Sequence, residues 1–282
     1  MTLYYYIPLL SGKYMIIRNF NESNFNLTNS SVPVFSVYMK IQFVSILAGL
    51  FFVPILSCNQ LLTTPTNKEL FKEDFNSYTD NSKLPSGWWR EGSMAVRIEN
   101  GHLHADANLD GNGEDYGTST IWLDKMFKGD ICVEFDAHVL ASDGEKNNIN
   151  FFFLFSDPSG RALRQTKNER VDGQYGKYHK LNGYVFTFLA NGNPEHARFR
   201  MRDDPGFHLL QENFAYECKQ NKTYHITITK KGSRITYAVN GTIYMDKIDD
   251  TANSEHKSGI IGFRTWHTDM WWDNLKVTEL NH

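Results

Sequence analysis

The stretch Ile131-Cys132-Val133-Glu134-Phe135-Asp136-Ala137-His138 decides the fold class of this chain. Four apolar side chains alternate with Cys, Glu, Asp and His. Because successive side chains of a β-strand point to opposite faces, the pattern predicts a strand with one face in a core and the other toward solvent.

The same alternation recurs in stretches that Gly, Asn, Asp and Pro separate. These stretches are residues 95–99, 148–155, 184–189, 197–202, 224–229, 234–240 and 259–264. Asn240-Gly241 is typical of a two-residue hairpin turn. Near the C-terminus, Trp271 alternates with Leu275 and Val277 and is predicted to lie in the core. No long segment has a helical period, so we expect an all-β, antiparallel β-sandwich.

The N-terminal region contains a segment typical of a secretory signal. Met39-Lys40 precede an uncharged apolar run over residues 41–57, and the run ends at Cys58 in a sequence that resembles a bacterial lipobox. In such proteins the cysteine is lipidated and becomes the first mature residue. A transmembrane helix is the alternative, for which the run is short.

These features predict the organisation of the chain. We expect a lipoprotein signal peptide at residues 39–58, a tether at 59–67 and one β-sandwich domain at 68–282. Residues 1–38 lie upstream of a complete signal and are interpreted as a non-native extension. Lipidation of Cys58 predicts a protein held to the membrane through its lipid only, at the periplasmic face or the cell surface of a bacterial outer membrane.

Charge and cysteine content set further bounds. The formal net charge is −3 over 282 residues, so nothing favours a nucleic-acid partner. Besides Cys58, the chain has Cys132 and Cys218. These two could pair in an oxidising compartment or could be small buried side chains.

One predicted strand, His196-Ala197-Arg198-Phe199-Arg200-Met201-Arg202, carries His and three Arg on one face. Planar guanidinium groups suit carboxylates, sulfates and phosphates, so this face is a candidate anion-binding surface. The alternative is a solvated face with Glu195, Asp203 and Asp204 as counter-ions.

Two further strands have polar faces. The amides of Asn148 and Asn150 point away from the core side of their strand, and Glu134 shares a face with Asp136 and His138. In a curved sandwich, one outer surface is concave and can hold a glycan. Ordinary convex faces show the same alternation.

Three motifs resemble the YesU-like family, whose function is unknown. They are residues 174–184 (Gln-Tyr-Gly-Lys-Tyr-His-Lys-Leu-Asn-Gly-Tyr), Arg202 with residues 206–209 (Gly-Phe-His-Leu), and residues 261–264 (Ile-Gly-Phe-Arg). The resemblance extends over residues 71–280. It implies a concanavalin A-like (jelly-roll, laminin-G-like) β-sandwich and an association with polysaccharide degradation.

The arginine strand departs from that family pattern. Arg202 matches it, whereas Arg198 and Arg200 are additions in this chain. The additions favour a more acidic ligand than a neutral sugar, namely a uronate-rich or sulfated polysaccharide or oligosaccharide.

β-Elimination on a uronic acid suits these residue types. The C5 proton is weakly acidic, so the protein must neutralise the adjacent carboxylate and supply a Tyr or His to take the proton. The enzyme would be a lyase or, with hydroxyl as the leaving group, a dehydratase. The candidate catalytic residues are Tyr184, His179, Arg202 and Arg200. The candidate substrate-binding residues are Asn148, Asn150, Tyr178, Asn182, Arg198, Arg264, Trp266 and His267.

This hypothesis requires Arg200, Arg202, Tyr184 and Asn150 to converge on one concave surface. Two alternatives stay open. The first is a glycoside hydrolase that uses Glu134 and Asp136 as its acid pair. The second is a surface glycan-binding lipoprotein without catalysis.

No cofactor is required by either chemistry. The loop that contains Asp106, Asn108 and Asp110 resembles the beginning of a calcium loop, although Gly117 stands where the closing Glu is needed. A structural calcium and a plain turn rich in Asp and Asn are the two interpretations.

Overall fold

The computed structural model describes residues 67–93, 95–107, 117–143, 146–190, 196, 198–250 and 255–281, together with the backbones of two short strands nearer the N-terminus. The chain divides into two compact units, Met1–Gln60 and Leu61–His282. In the first unit, β1 (Tyr4–Pro8) pairs with β2 (Tyr14–Arg18) in an antiparallel register.

The predicted signal peptide, Cys58 and the tether up to residue 66 lie outside the described residues. Their assignments therefore stay predictions. None of the described helices has the length and apolar character that are needed to cross a bilayer.

The second unit is built almost entirely of strands. They are β3 (Lys68–Glu73), β4 (Trp88–Gly92), β5 (Val96–Glu99), β6 (His102–Asp106), β7 (Thr118–Lys128), β8 (Ile131–Ser142), β9 (Ile149–Ser156), β10 (Asn182–Phe188), β11 (Phe199–Asp204), β12 (His208–Asn213), β13 (Lys222–Lys231), β14 (Arg234–Val239), β15 (Thr242–Ile248), β16 (Ser258–Trp266) and β17 (Thr268–Glu279). A 3₁₀ helix (Leu163–Arg170) and the single-turn helix α1 (Tyr175–Tyr178) lie between β9 and β10.

The strands form two antiparallel sheets, which confirms the predicted sandwich. The seven-stranded sheet has the order β12-β11-β10-β9-β16-β7-β4. The eight-stranded sheet has the order β15-β14-β13-β8-β17-β6-β5, and β3 also pairs with β17. The predicted hairpin turn joins β14 to β15, where Asn240 and Gly241 adopt φ values of 50° and 76°, as a two-residue turn of this kind requires.

The alternation in β8 has the predicted result. Ile131, Val133, Phe135 and Ala137 are fully buried, whereas Glu134 and Asp136 are partly exposed on the outer face. The Phe135 ring lies 5.0 Å from the rings of Phe151 and Phe263, which belong to the other sheet. The main core therefore fills the space between the two sheets.

Trp271 does not lie in the core, so this prediction is wrong. Asn274 adopts a φ of 53°, and the pairing of β17 with β8 shifts register between Asp273 and Lys276. This bulge reverses the alternation, so Trp272 shares the core face with Leu275 while Trp271 points outward.

The two cysteines of this unit are both free thiols. Cys218 is buried in the main core, and Cys132 is half-buried in β8, where its sulfur accepts a hydrogen bond from Thr229. Of the two alternatives, the unpaired state is the one observed.

A second, smaller core lies on the outer face of the seven-stranded sheet. Residues 163–181, here called the cover segment, pack over one half of that face. Leu163, Tyr178 and Leu181 of the cover segment meet Trp122 and Phe152 of the sheet. The other half of the face stays open, and this division creates the candidate site.

Candidate functional site

A row of side chains crosses the outer face of the seven-stranded sheet. Cross-strand pairs connect, in spatial order, Glu91, Thr120, Arg264, Asn150, Thr187 and Arg200. Each comes from a different strand, and directly opposed residues in a sheet share a face. We call this set the polar row.

A cavity of about 940 Å³ lies over the polar row. Its floor includes Arg264, Asn150 and Thr187. Residues 172–176 of the cover segment form one wall, and Arg200, Arg202 and Phe207 line another side. The volume falls within the range of small-molecule sites.

Arg264 is a buried residue of the cavity that its neighbours hold in place. Its side chain is 3% exposed, and its Nη1 donates to Thr120 Oγ1 at 2.7 Å and to the Gly173 carbonyl at 2.9 Å. Its Nε has no hydrogen-bond partner among the described residues, and none of the described carboxylates forms an ion pair with it. Burial lowers the pKa of the guanidinium, which still carries its charge at neutral pH.

Aromatic rings replace the missing counter-ion around Arg264. Its guanidinium carbon lies 4.8 Å from the ring centroid of Tyr175 and 5.1 Å from that of Tyr178. Such cation–π contacts contribute about 0.5–2 kcal/mol each, less than the several kcal/mol that desolvation of a charge costs. The cavity thus holds a buried positive charge that an anionic group can neutralise.

The two predicted asparagines lie at this cavity. Asn148 and Asn150 are both buried and line it, and Asn150 Nδ2 donates to Asn148 Oδ1 at 2.7 Å. Asn150 Oδ1 has no hydrogen-bond partner among the described residues. Buried polar atoms normally have a hydrogen-bond partner, so this oxygen is an exception at the cavity.

The three arginines of the predicted basic strand do not all line the cavity. Arg200 and Arg202 line the cavity together with His196, whereas Arg198 is buried and donates to the His196 carbonyl. The strand itself begins at Phe199 rather than Ala197. Arg202 lies 4.1 Å from the Phe207 ring, and Arg200 is 4.0 Å from Glu212.

Tyr175 is a cavity residue that sequence reasoning missed. Its ring lies over Arg264 and contacts the Phe207 ring edge-on at 5.1 Å. Burial raises the pKa of Tyr175 to about 12, while Arg264, a hydrogen bond with Thr187 and the charge of Arg202 act in the opposite direction. Tyr175 belongs to the first family-like motif, but nothing in that motif distinguished it from Tyr178.

A buried ion pair anchors the cover segment. Arg170 Nε lies 3.0 Å from Glu91 Oε1, and both side chains are at most 3% exposed. Glu91 Oε2 also accepts hydrogen bonds from Trp122 Nε1 and the Tyr178 hydroxyl. Burial raises the pKa of the Glu91 carboxyl, and these partners counteract the shift.

The anchor places the backbone that meets Arg264. Gly173 follows Arg170 closely, with a φ of 64°, and a Cβ there would lie 3.0 Å from Gly92 Cα. Glycine therefore lets the chain approach β4 and present its carbonyl to Arg264.

Tyr184, Asn182 and Tyr178 are among the predicted site residues that do not line the cavity. Tyr184 is fully buried between the sheets, where its hydroxyl donates to Asp249 at 2.6 Å, so it faces away from Arg200 and Arg202. Asn182 bonds Ser156 at the far end of β10. Tyr178 belongs to the cover segment, is buried against the sheet and donates a hydrogen bond to Glu91. Arg200, Arg202 and Asn150 thus line one cavity, whereas Tyr184 lies in the core between the sheets.

His179, Trp266 and His267 lie around the site. His179 stacks on Phe207 at 3.8 Å, behind the ring that lines the cavity; burial, Arg202 and Arg264 lower its pKa. Trp266 lines the cavity, is 42% exposed, and has Lys146 Nζ 4.5 Å from its ring centroid. His267 supports Trp266 edge-on and lies 3.3 Å from Asp143.

The proposed hydrolase pair lies on the other sheet. Glu134 and Asp136 are on the outer face of the eight-stranded sheet, opposite the cavity. His225 lies 2.8 Å from Asp136 and 3.7 Å from Glu134, and Lys276 lies 3.6 Å from Glu134. These contacts identify the two carboxylates as members of a surface charge network.

We therefore expect the double substitution Glu134→Gln with Asp136→Asn to leave any activity of the cavity unchanged. Exposed ion pairs contribute about 0–1 kcal/mol each, so the thermal midpoint should fall only slightly. Turnover assays and thermal unfolding of the variant check this expectation. Loss of turnover in a folded variant would restore the hydrolase alternative.

Most of the loop that was predicted to bind calcium lies outside the described part of the chain. Asn108 and Asp110 are outside it, and Asp106 ends β6, where its carbonyl accepts a hydrogen bond from Ser93. Among the residues that are described, no three His, Cys, Asp or Glu side chains come together as a metal site.

The chain matches a known protein family over more than half of its length. A family model described as a domain of unknown function, DUF6250, matches residues 114–275, which is more than half of the chain. The matched region extends from just before β7 to within β17 and includes most of the polar row. No curated protein sequence matches the chain.

Solved structures show similarity of fold. A protein of unknown function with a galectin-like fold from Bacillus subtilis is 19% identical, with a TM-score of 0.61 over 75% of this chain and 96% of that one. The carbohydrate recognition domain of Emp47p is 11% identical, with a TM-score of 0.51 over 73% and 93%. A structure described with endo-acting O-glycanases of the human gut microbiota is 10% identical, with a TM-score of 0.50 over 76% and 100%.

Proposed function

Since the chain belongs to the DUF6250 family, whose description assigns no activity, we propose a function from the cavity itself: it binds a uronic-acid-containing, uronate-rich or sulfated oligosaccharide and acts on it by β-elimination. The main support for this proposal is the buried guanidinium of Arg264, which has no ion-pair partner among the described carboxylates. A carbohydrate recognition domain and a structure described with O-glycanases have a similar fold, which supports a glycan as the ligand.

Elimination needs positive charge beside the uronate carboxylate, and the cavity contains several arginines. A uronate carboxylate next to Arg264 loses much of its negative charge, which makes the neighbouring C5–H bond more acidic. Arg202 and Arg200 extend the positive field to charge that develops in the transition state or to a sulfate on the ligand. Asn150 Oδ1 is available to a sugar hydroxyl.

The test is turnover of a panel of oligouronides with and without sulfate. Elimination forms a double bond conjugated with the carboxylate, and ultraviolet absorbance of that product should rise with the wild-type protein. The double variant Glu134→Gln, Asp136→Asn is the matched control and should behave like the wild type.

The other outcomes decide between the alternatives. New reducing ends without absorbance would replace elimination by hydrolysis. Oligouronide binding without either product would reduce the function to glycan binding. If the protein neither binds nor converts any oligouronide of the panel, the proposal is overturned.

Trp266 is proposed as a stacking platform at the rim. Its exposed ring and the nearby Lys146 ammonium suit the apolar face and the charge of an acidic sugar. We expect Trp266→Ala to weaken oligouronide binding about tenfold, or about 1.4 kcal/mol, because one platform among several contacts is lost. Calorimetric titration measures the change; unaltered affinity would remove Trp266 from the site.

The predicted cellular location is part of the proposal and rests on the sequence. A lipid on Cys58 would hold the domain at the periplasmic face or the surface of an outer membrane, where polysaccharide fragments arrive. The resemblance to the YesU-like family supports the same setting. Replacement of Cys58 by Ser should release the protein from membrane fractions.

A further inference from the structure

We propose that Tyr175 is the catalytic residue that transfers the proton: its phenolate oxygen takes the C5 proton and returns it to the leaving oxygen. This inference rests on the proposed function, because it assigns one step of that reaction. It gives to Tyr175 the role that the sequence suggested for Tyr184, which lies between the sheets.

The position of Tyr175 carries the inference. It lines the cavity, and its ring lies 4.8 Å from the Arg264 guanidinium carbon. The rings of His179 and Phe207 contact it edge-on at 4.9 and 5.1 Å. Its ring therefore packs against the group that would hold the uronate carboxylate, and two aromatic neighbours fix that ring.

The groups around Tyr175 act on its pKa in both directions. Arg264 in β16, Arg202 in β11 and a hydrogen bond with Thr187 in β10 all lower its pKa, and Asp204 raises it. His179 on the same segment has a lowered pKa, so it is neutral at neutral pH. Burial is the largest influence and raises the pKa of Tyr175 to about 12, so only a small fraction is phenolate at neutral pH.

The step balances with Tyr175 alone. The phenolate oxygen forms a bond with the C5 proton, and the electrons of the C5–H bond form the C4–C5 double bond. The C4–O bond breaks, and its electron pair stays on the leaving oxygen. That oxygen takes the proton from Tyr175, which ends as the phenolate it was at the beginning.

The test compares Tyr175→Phe with Tyr184→Phe on oligouronides. We expect Tyr175→Phe to lower kcat by about 10²–10⁴-fold while the Kd of the oligouronide stays close to that of the wild type. Tyr184→Phe should keep the wild-type kcat, because its hydroxyl bonds Asp249 inside the sandwich. Thermal unfolding of both variants checks that they fold.

The pH profile is a second, independent measurement. Wild-type kcat/KM should rise about tenfold per pH unit through the neutral and mildly alkaline range, because the phenolate fraction rises in that proportion. Tyr175→Phe should lose this slope. If Tyr175→Phe keeps the kcat and slope of an active wild type, the inference is overturned and the proposed function stands. If the wild type forms no elimination product, both are overturned.

Discussion

Replacement of Arg264 by Met is expected to weaken oligouronide binding by about 2–5 kcal/mol, or about 30- to 4,000-fold in Kd, because the buried cation meets the ligand's carboxylate away from water. Turnover should fall at least as far, since the same charge acidifies the C5–H bond. Calorimetric titration and initial rates measure the two effects.

The same substitution should cost little stability. Met removes a buried charge that has no ion-pair partner among the described residues, and this offsets the loss of hydrogen bonds to Thr120 and Gly173. We expect the thermal midpoint to stay the same or rise, as at sites where function opposes stability. Arg234→Met, at a surface arginine paired with Asp246, is the control and should leave binding unchanged. Strong destabilisation by Arg264→Met with intact binding would identify Arg264 as a structural residue.

Replacement of Glu91 by Gln is expected to be the most destabilising of these changes. It leaves the buried Arg170 guanidinium without its carboxylate, and breaking a buried pair from one side costs about 3–5 kcal/mol. For a domain of this size the thermal midpoint should fall by about 6–20 °C. Thermal and denaturant unfolding measure the loss.

Glu91→Gln should also impair the site, because the cover segment carries Gly173 and Tyr175. The double variant Glu91→Gln, Arg170→Met provides the control, since it removes both charges. We expect the double variant to be more stable than the sum of the two single losses predicts, with a coupling energy of about 0.5–3 kcal/mol. Additive losses would contradict the ion pair as the anchor.

Alternation along strands predicted the fold and part of the site. It placed Asn150, Arg200 and Arg202 on one outer face correctly, because period two is imposed by the backbone of each strand. The same rule puts Tyr184 with Phe186 and Phe188, which are core residues. Alternation alone therefore predicts a core position for Tyr184.

The positions of Trp271, Trp272 and Tyr175 could not be predicted from the local sequence. Trp271 and Trp272 exchange faces because of a bulge at Asn274, which depends on how β17 pairs with its neighbours. Tyr175 reaches the cavity because Glu91, far earlier in the chain, holds Arg170 and Tyr178. Long-range contacts of this kind decide positions that neither propensity nor periodicity describes.

The polar row also sets a length scale. Neighbouring strands lie about 4.8 Å apart, so the three steps from Arg264 through Asn150 and Thr187 to Arg200 span roughly 14 Å. A single sugar ring is shorter than this distance. These backbone positions are three strand spacings apart, so the proposed ligand would contact both arginines as an oligomer that lies across the strands.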